Sequence, residues 1–303
     1  LIPPSVFNMK VLLAPFLLFV QASSELLPVE ISQKSTPSIT FFSSYMEKTF
    51  YPRIRVTIDY IFSSDVESLN PYTLENIDEN RNIFKSALDF QVFFYNMLYV
   101  LNSSNSFRPQ MAKIILHTLE KFLSYYRHTF DSIIGSSVSE RNNKLTTAWF
   151  NDDKLKEYEN HIINGDTPDY IKESKELFTF CPKFYEKGKD IGKDGTLNSL
   201  TLDTVIFFTS TIYWILTWLP TLKSVVDISA SKEIVSLMNA DELRSYWSFF
   251  EYMDVENSDK RMSLRILLDD ENAEKFDSII SGFESIKMNL MTLLRFDIRA
   301  KTI

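Results

Sequence analysis

Between Asp203 and Lys223 the chain runs for 19 residues, Thr204 to Leu222, without one ionisable side chain. Val205, Ile206, Phe207, Phe208, Ile212, Tyr213, Trp214 and Ile215 fall on every side of a helical wheel. A helix that is apolar all round is buried in a large core or crosses a membrane. At 1.5 Å per residue the segment reaches roughly 28 Å, close to the ~30 Å hydrocarbon thickness. Composition argues for the core. Five Thr or Ser residues precede Pro220, and the proline ends the helix near Leu219. That leaves about 16 residues, short of the usual span of roughly 17 to 25. No Lys/Arg cluster flanks either end to set an orientation. The expectation is an all-α fold, an irregular multi-helix bundle around one apolar central helix at about 200–219, with a membrane span at 204–222 disfavoured.

Only 6 Gly in 303 residues disfavours phosphate-cradling glycine loops and turn-dense β-sandwiches. The 25 Phe and 14 Tyr predict aromatic-rich cores. A net charge of −8, spread along the chain without a basic block, argues against nucleic acid as a partner. The single cysteine, Cys181, excludes an intramolecular disulfide, and its neighbours Phe180 and Pro182 predict burial.

The N-terminal region has secretory grammar. Residues 1–8 read as upstream of a start at Met9, and 9–24 as a signal peptide. Met9-Lys10 is a short basic region, VLLAPFLLFV (11–20) an apolar run of 10, and Gln21-Ala22-Ser23-Ser24 a small-residue cleavage site. The expected localisation is secreted or at the extracellular surface. An extended lead-in at 25–44 carries Pro28 and Pro37, and 45–303 forms the helical globular domain, compatible with a subdivision near 165.

Within that domain Arg53–Phe62 (RIRVTIDYIF) alternates like a strand, but it also sets Ile54, Ile58 and Phe62 on one helical face, and its all-helical surroundings favour helix. Helices are expected over 74–101, capped by Thr73, and over 107–134, stopped by Gly135; the short loop between them predicts an αα-hairpin. Two shorter helices follow at 139–150 and 152–164, the second capped by Asn151. Another starts at Thr167-Pro168 and ends near Phe180, because Pro182 cannot continue it cheaply. Beyond Lys223, Ser231 and Asn239 cap two further helices, the second with an aromatic face at Tyr246, Trp247, Phe249 and Phe250. The last helix runs from about Asp270, its buried stripe including Phe276, Phe283, Leu290, Met291 and Leu294.

Chemistry-bearing motifs are scarce. His117, His128 and His161 stand in no HExxH or HxH spacing and read as structural or surface residues. No G-x-S-x-G or Walker A motif occurs, so no catalytic or cofactor-binding residue is nominated. Residues 190–201 (DIGKDGTLNSLT) resemble a degenerate EF-hand loop, with Asp190, Asp194 and Asn198 at ligand positions. Gly192 supplies no oxygen at the third position and Thr201 cannot close the loop bidentately, so a plain connecting turn is favoured and no metal is expected. Asn102-Ser103-Ser104 is a glycosylation candidate at Asn102. These features point to a secreted or surface-associated, non-enzymatic protein that acts through contacts with another protein, antigen or effector-like. The alternatives are a carrier of a small apolar ligand or lipid in a helical cavity, and a membrane-anchored protein held by 204–222.

Overall fold

In the computed structural model the described residues are 44–68, 70–78, 81–101, 108–135, 144–163, 167, 169–185, 199–225 and 266–302, with isolated positions before residue 44. The fold is all-α. Among the described residues eight helices carry it: α1 (Tyr51–Phe62), α2 (Lys85–Leu101), α3 (Arg108–Ile134), α4 (Leu145–Phe150), α5 (Asp153–Ile163), α6 (Tyr170–Tyr185), α7 (Ser199–Trp218) and α8 (Asp270–Lys301). Two small strand pairs accompany them. β1 (Leu74–Asp78) lies antiparallel to β2 (Arg81–Phe84), and β3 (Lys223–Val225) parallel to β4 (Ile266–Leu268). The chain divides into two compact units, one of residues 1–70, 86–121 and 218–280, the other of 71–85, 122–217 and 281–303.

In the first unit, α1 resolves the ambiguity of RIRVTIDYIF. Ile54, Ile58 and Phe62 are buried while Val56 and Tyr60 face solvent, which is helical and not strand periodicity. Wider π-type turns flank α1 at Met46–Phe50 and Ser63–Glu67, and the Tyr51 N–H reaches back to the Met46 carbonyl. Pro52 explains the first of these: it has no N–H to donate and its ring crowds the carbonyl four residues back, so the turn opens. An aromatic chain forms the core, Phe62 edge-on to Phe90, Phe90 stacked on Phe94 at 5.3 Å, and Phe94 against Trp218. Helix α2 meets α3 where the Thr118 hydroxyl lies 3.9 Å from the Met97 sulfur. Lys223 pairs with both carboxylate oxygens of Asp277 at 2.7 Å.

The second unit has its own aromatic core. Phe84 of β2 packs on Phe208 of α7, Phe208 on Tyr126 of α3, and Tyr126 edge-on to Phe283 of α8. Mid-helix Gly282 lets α8 approach α3 closely, since a Cβ there would fall 2.5 Å from a Leu123 methyl. At the far end of α8, Arg295 is held by Glu159 of α5 and, at 2.8 Å, by Glu173 of α6; Arg299 takes the other Glu173 oxygen at 3.1 Å. Lys301 pairs with buried Asp297 at 2.7 Å, and the Trp149 indole donates to the Leu177 carbonyl at 3.1 Å.

Several local expectations are corrected. Leu74–Asp78 and Arg81–Phe84 form an antiparallel strand pair, not the first turns of a helix, and α2 starts at Lys85; Thr73 is no cap but accepts a hydrogen bond from the Lys85 N–H through its carbonyl. The polar run Asp78-Glu79-Asn80-Arg81 interrupts the apolar spacing there. Helix α6 continues through Pro182 to Tyr185. Helix caps shift by one or two residues: Asp152, not Asn151, accepts from the Leu155 N–H, and Asp169, not Thr167, from the Lys172 N–H. A carboxylate at the N-cap satisfies an orphan donor and complements the helix dipole, which favours these aspartates over their neighbours. Gly135 does end α3, at φ 112°. Helix α7 is buried on one face only: Val205, Phe208, Ile212 and Ile215 are inside, Ile206 and Tyr213 outside. Leu202–Leu222 is long and apolar enough to cross a membrane, with 44% of its most apolar window buried. The signal-peptide segment falls almost wholly outside the described residues, as do the glycosylation candidate Asn102, the calcium-loop residues Asp190, Asp194 and Asn198, and the helices expected after Ser231 and Asn239.

The Arg295 network gives a direct stability test. Burial pushes the Glu173 carboxyl above the ordinary glutamate range, with the Arg299 guanidinium opposing. In Arg295→Met, buried Glu159 loses its cation and Glu173 keeps only Arg299, so less opposes the upward push of burial on the Glu173 carboxyl. Stability at neutral pH falls by about 3 kcal/mol, the low end for breaking a buried pair because Arg295 is 24% exposed. A raised folded-state pKa gives stability that is fully present below the unfolded value, about 4.3, and lost as pH rises through the folded one. Urea melts across pH 4 to 8 therefore show the deficit of the variant narrowing on acidification.

Candidate functional site

The described surface of the second unit carries one concave apolar feature that no sequence motif announces: a half-open groove of about 300 Å³. One wall is the β1–β2 hairpin, contributing Ile77, Arg81 and Ile83. The floor is the uncovered face of α7, where Ile206, Ser210, Tyr213 and Trp214 recur at helical spacing. The opposite wall is α8, with Lys287, Met291 and Leu294 at i, i+4 and i+7.

Each wall is fixed from behind. The Thr211 hydroxyl is fully buried, donates to the Phe207 carbonyl at 2.7 Å and accepts the Phe84 N–H at 2.9 Å. That bond pins the hairpin to α7, and the Phe84–Phe208 ring contact at 5.4 Å reinforces it. Phe283 and Leu290 point α8 into the core, so Lys287 and Met291 are left facing outward. The groove is thus the reverse side of the aromatic core.

Charge is distributed unevenly along it. The Arg81 guanidinium is bound by Asp78, Nε to Oδ2 at 2.6 Å, and the pair is exposed. Lys287 is half-buried and has no ion-pair partner among the described residues. Both titratable lining groups apart from the Tyr213 phenol are cations, in a chain whose net charge is −8. Such a surface is suited to binding, because apolar walls and a lone cation hold an apolar body with an anionic end. Nothing lining the groove supplies a nucleophile paired with a base.

The residues singled out by sequence lie elsewhere. His117 stands 3.9 Å from Asp59, too far for a hydrogen bond, and Asp59 is already taken by Lys121, so this is a surface charge cluster. His128 and His161 are exposed. Cys181 is buried, as its neighbours suggested, and burial pushes its thiol up, away from reactivity. Among the described residues no three His, Cys, Asp or Glu side chains gather into a metal-holding group. Sequence reasoning missed the groove because it assigned Met291 to the buried stripe, whereas Met291 is 50% exposed. The available signal was the seven-residue spacing of Ile206 with Tyr213 and of Met291 with Ile298, all exposed and apolar.

Replacing Thr211 with Val keeps the shape but orphans the buried Phe84 N–H, at a cost of about 1–3 kcal/mol. Chemical denaturation measures that loss. Hydrogen exchange measures its location, with faster exchange expected at β1–β2 than in α4–α6.

No protein-family model matches this chain, and its sequence matches no curated protein.

Proposed function

We propose that the chain is a non-catalytic binding protein, secreted or surface-associated, that holds a small apolar ligand in the groove of its second unit. One observation carries this reading: Ile206, Tyr213 and Met291 are all substantially exposed around a cavity of about 300 Å³. Leaving large apolar side chains in water forgoes roughly 25 cal/mol per Å² of burial, and an apolar cleft of this size sits at the lower end of ligand pockets. At about 30 Å³ per water-sized group, the groove takes some ten heavy atoms. The N-terminal run at 9–24 is the support for export.

A second reading keeps the earlier emphasis on protein contacts. Helix α6 exposes Ile171 and Phe178 two turns apart, and α1 exposes Val56 and Tyr60 one turn apart. Such pairs suit a partner helix, but the groove is the better-supported site, because its exposed apolar residues line one cavity.

The test is a titration of the full chain with straight-chain alcohols of six to fourteen carbons, read by the fluorescence of Trp214 at the groove. Affinity should rise about fourfold per methylene, the equivalent of ~0.8 kcal/mol, and level off near ten carbons. Tyr213→Asp should weaken binding at least tenfold while leaving the melting temperature within a few degrees, because that side chain is 59% exposed. Absence of saturable binding across the series would sink the reading.

A further inference from the structure

Resting on that binding reading, we infer that the ligand is a single-chain carboxylate or similar amphipathic anion, and that Lys287 is the residue that anchors its charged end. The argument begins with the asymmetry between the two lining cations. Arg81 belongs to the hairpin and its charge is already neutralised by Asp78, through both Nε and an Nη. Lys287 projects from α8 beside Met291 and Leu294 with its charge uncompensated by any described residue, although Glu284 lies one turn before it on the same helix.

A lysine needs a reason to line an apolar cleft. Its stem can cover apolar surface while the ammonium stays wet, which accounts for the butyl chain but leaves the charge unused. In a protein with 40 acidic against 32 basic side chains, a groove bordered by the Arg81–Asp78 ion pair and by Lys287, with no carboxylate in its lining to offset that ammonium, carries one net positive charge against the sign of the chain. Charge complementarity therefore selects an anionic occupant over a neutral or cationic one. The geometry also sets the number of charges. One free ammonium and one guanidinium that keeps donors beyond those spent on Asp78 match a single carboxylate, oriented by the Ser210 hydroxyl that also lines the groove. The apolar residues Ile77, Ile83, Ile206 and Leu294 then take the hydrocarbon tail.

A peptide helix is the other candidate, and the volume disfavours it. A cleft of about 300 Å³ receives some ten heavy atoms, a small fraction of an amphipathic helix of several turns.

Decanoate, 1-decanol and an acidic amphipathic peptide, each titrated into the full chain at pH 8 and low salt, decide the matter. Decanoate should bind about tenfold tighter than decanol, as expected for a charge-assisted hydrogen bond. That advantage should shrink as salt is raised toward 1 M. Lys287→Met keeps the apolar stem, and should abolish the preference by weakening decanoate about tenfold relative to decanol, with the circular dichroism melt unchanged. Arg81→Met should reduce the preference only about twofold to threefold, since Asp78 already claims that guanidinium. Equal affinity for decanoate and decanol, or a preference that survives Lys287→Met, overturns the anion anchor and leaves the apolar groove standing. Binding of neither chain overturns both. Saturable binding of the peptide, with neither chain competing, makes the occupant a protein segment and overturns the lipid-like ligand.

Discussion

The described architecture of the second unit depends on one line of aromatic contacts. Phe84, Phe208, Tyr126 and Phe283 come from a strand and three helices, and their rings meet at 5.4 to 6.4 Å between centroids. Aromatic pairs at such distances contribute about 0.5–1.5 kcal/mol each beyond the area they bury. Their more consequential effect is directional. By drawing one face of α7, one face of α8 and the inner side of β2 together, they commit the opposite faces to water. The groove follows from that commitment, because three elements packed on a shared centre leave a cleft where their outer edges diverge.

Polar interactions sharpen what the rings set up. Thr211 is the clearest case, since a hydroxyl buried in an apolar helix is tolerated only when its donor and acceptor capacities are used, and here both are. It fixes the register of the hairpin against α7 and so the width between Ile83 and Ile206. Farther along α8, the Glu159–Arg295–Glu173–Arg299 network joins α8 to α5 and α6. Buried ion pairs contribute little net stability compared with apolar replacements, but they penalise wrong arrangements heavily. The network ties α8 to α5 and α6, and losing one partner leaves a buried carboxylate uncompensated.

Helices were legible in the sequence wherever apolar residues kept one period for several turns. Ile54, Ile58 and Phe62 marked α1 despite its strand-like alternation, and Phe276, Phe283 and Leu290 marked the inner face of α8. The N-caps were misplaced by a residue or two because Asn151 and Thr167 compete with nearby aspartates, and only three-dimensional geometry decides between adjacent capping candidates. The β1–β2 hairpin was invisible because Leu74, Ile77, Ile83 and Phe84 also fit a helical repeat, and a tertiary bond from Phe84 to Thr211 settles the choice. The groove was illegible for a different reason. An apolar wheel records how many faces of a helix are apolar and not how many are covered, so α7 read as wholly buried. One wall of the groove belongs to α8, more than 70 residues away in sequence, and no local pattern connects Ser210 with Lys287.

The central claim is that α7 is a helix of two unlike faces, one packed on rings and one open to water. Four single cysteines in a Cys181→Ser background test it, at Ile206 and Tyr213 on the open face and at Phe208 and Ile215 on the packed face. A water-soluble maleimide applied to the folded protein should modify the first pair rapidly. The second pair should react only after denaturant is added. Protection of all four would contradict the account, because α7 would then be covered on every side, by protein or by lipid, and the groove would not exist as described.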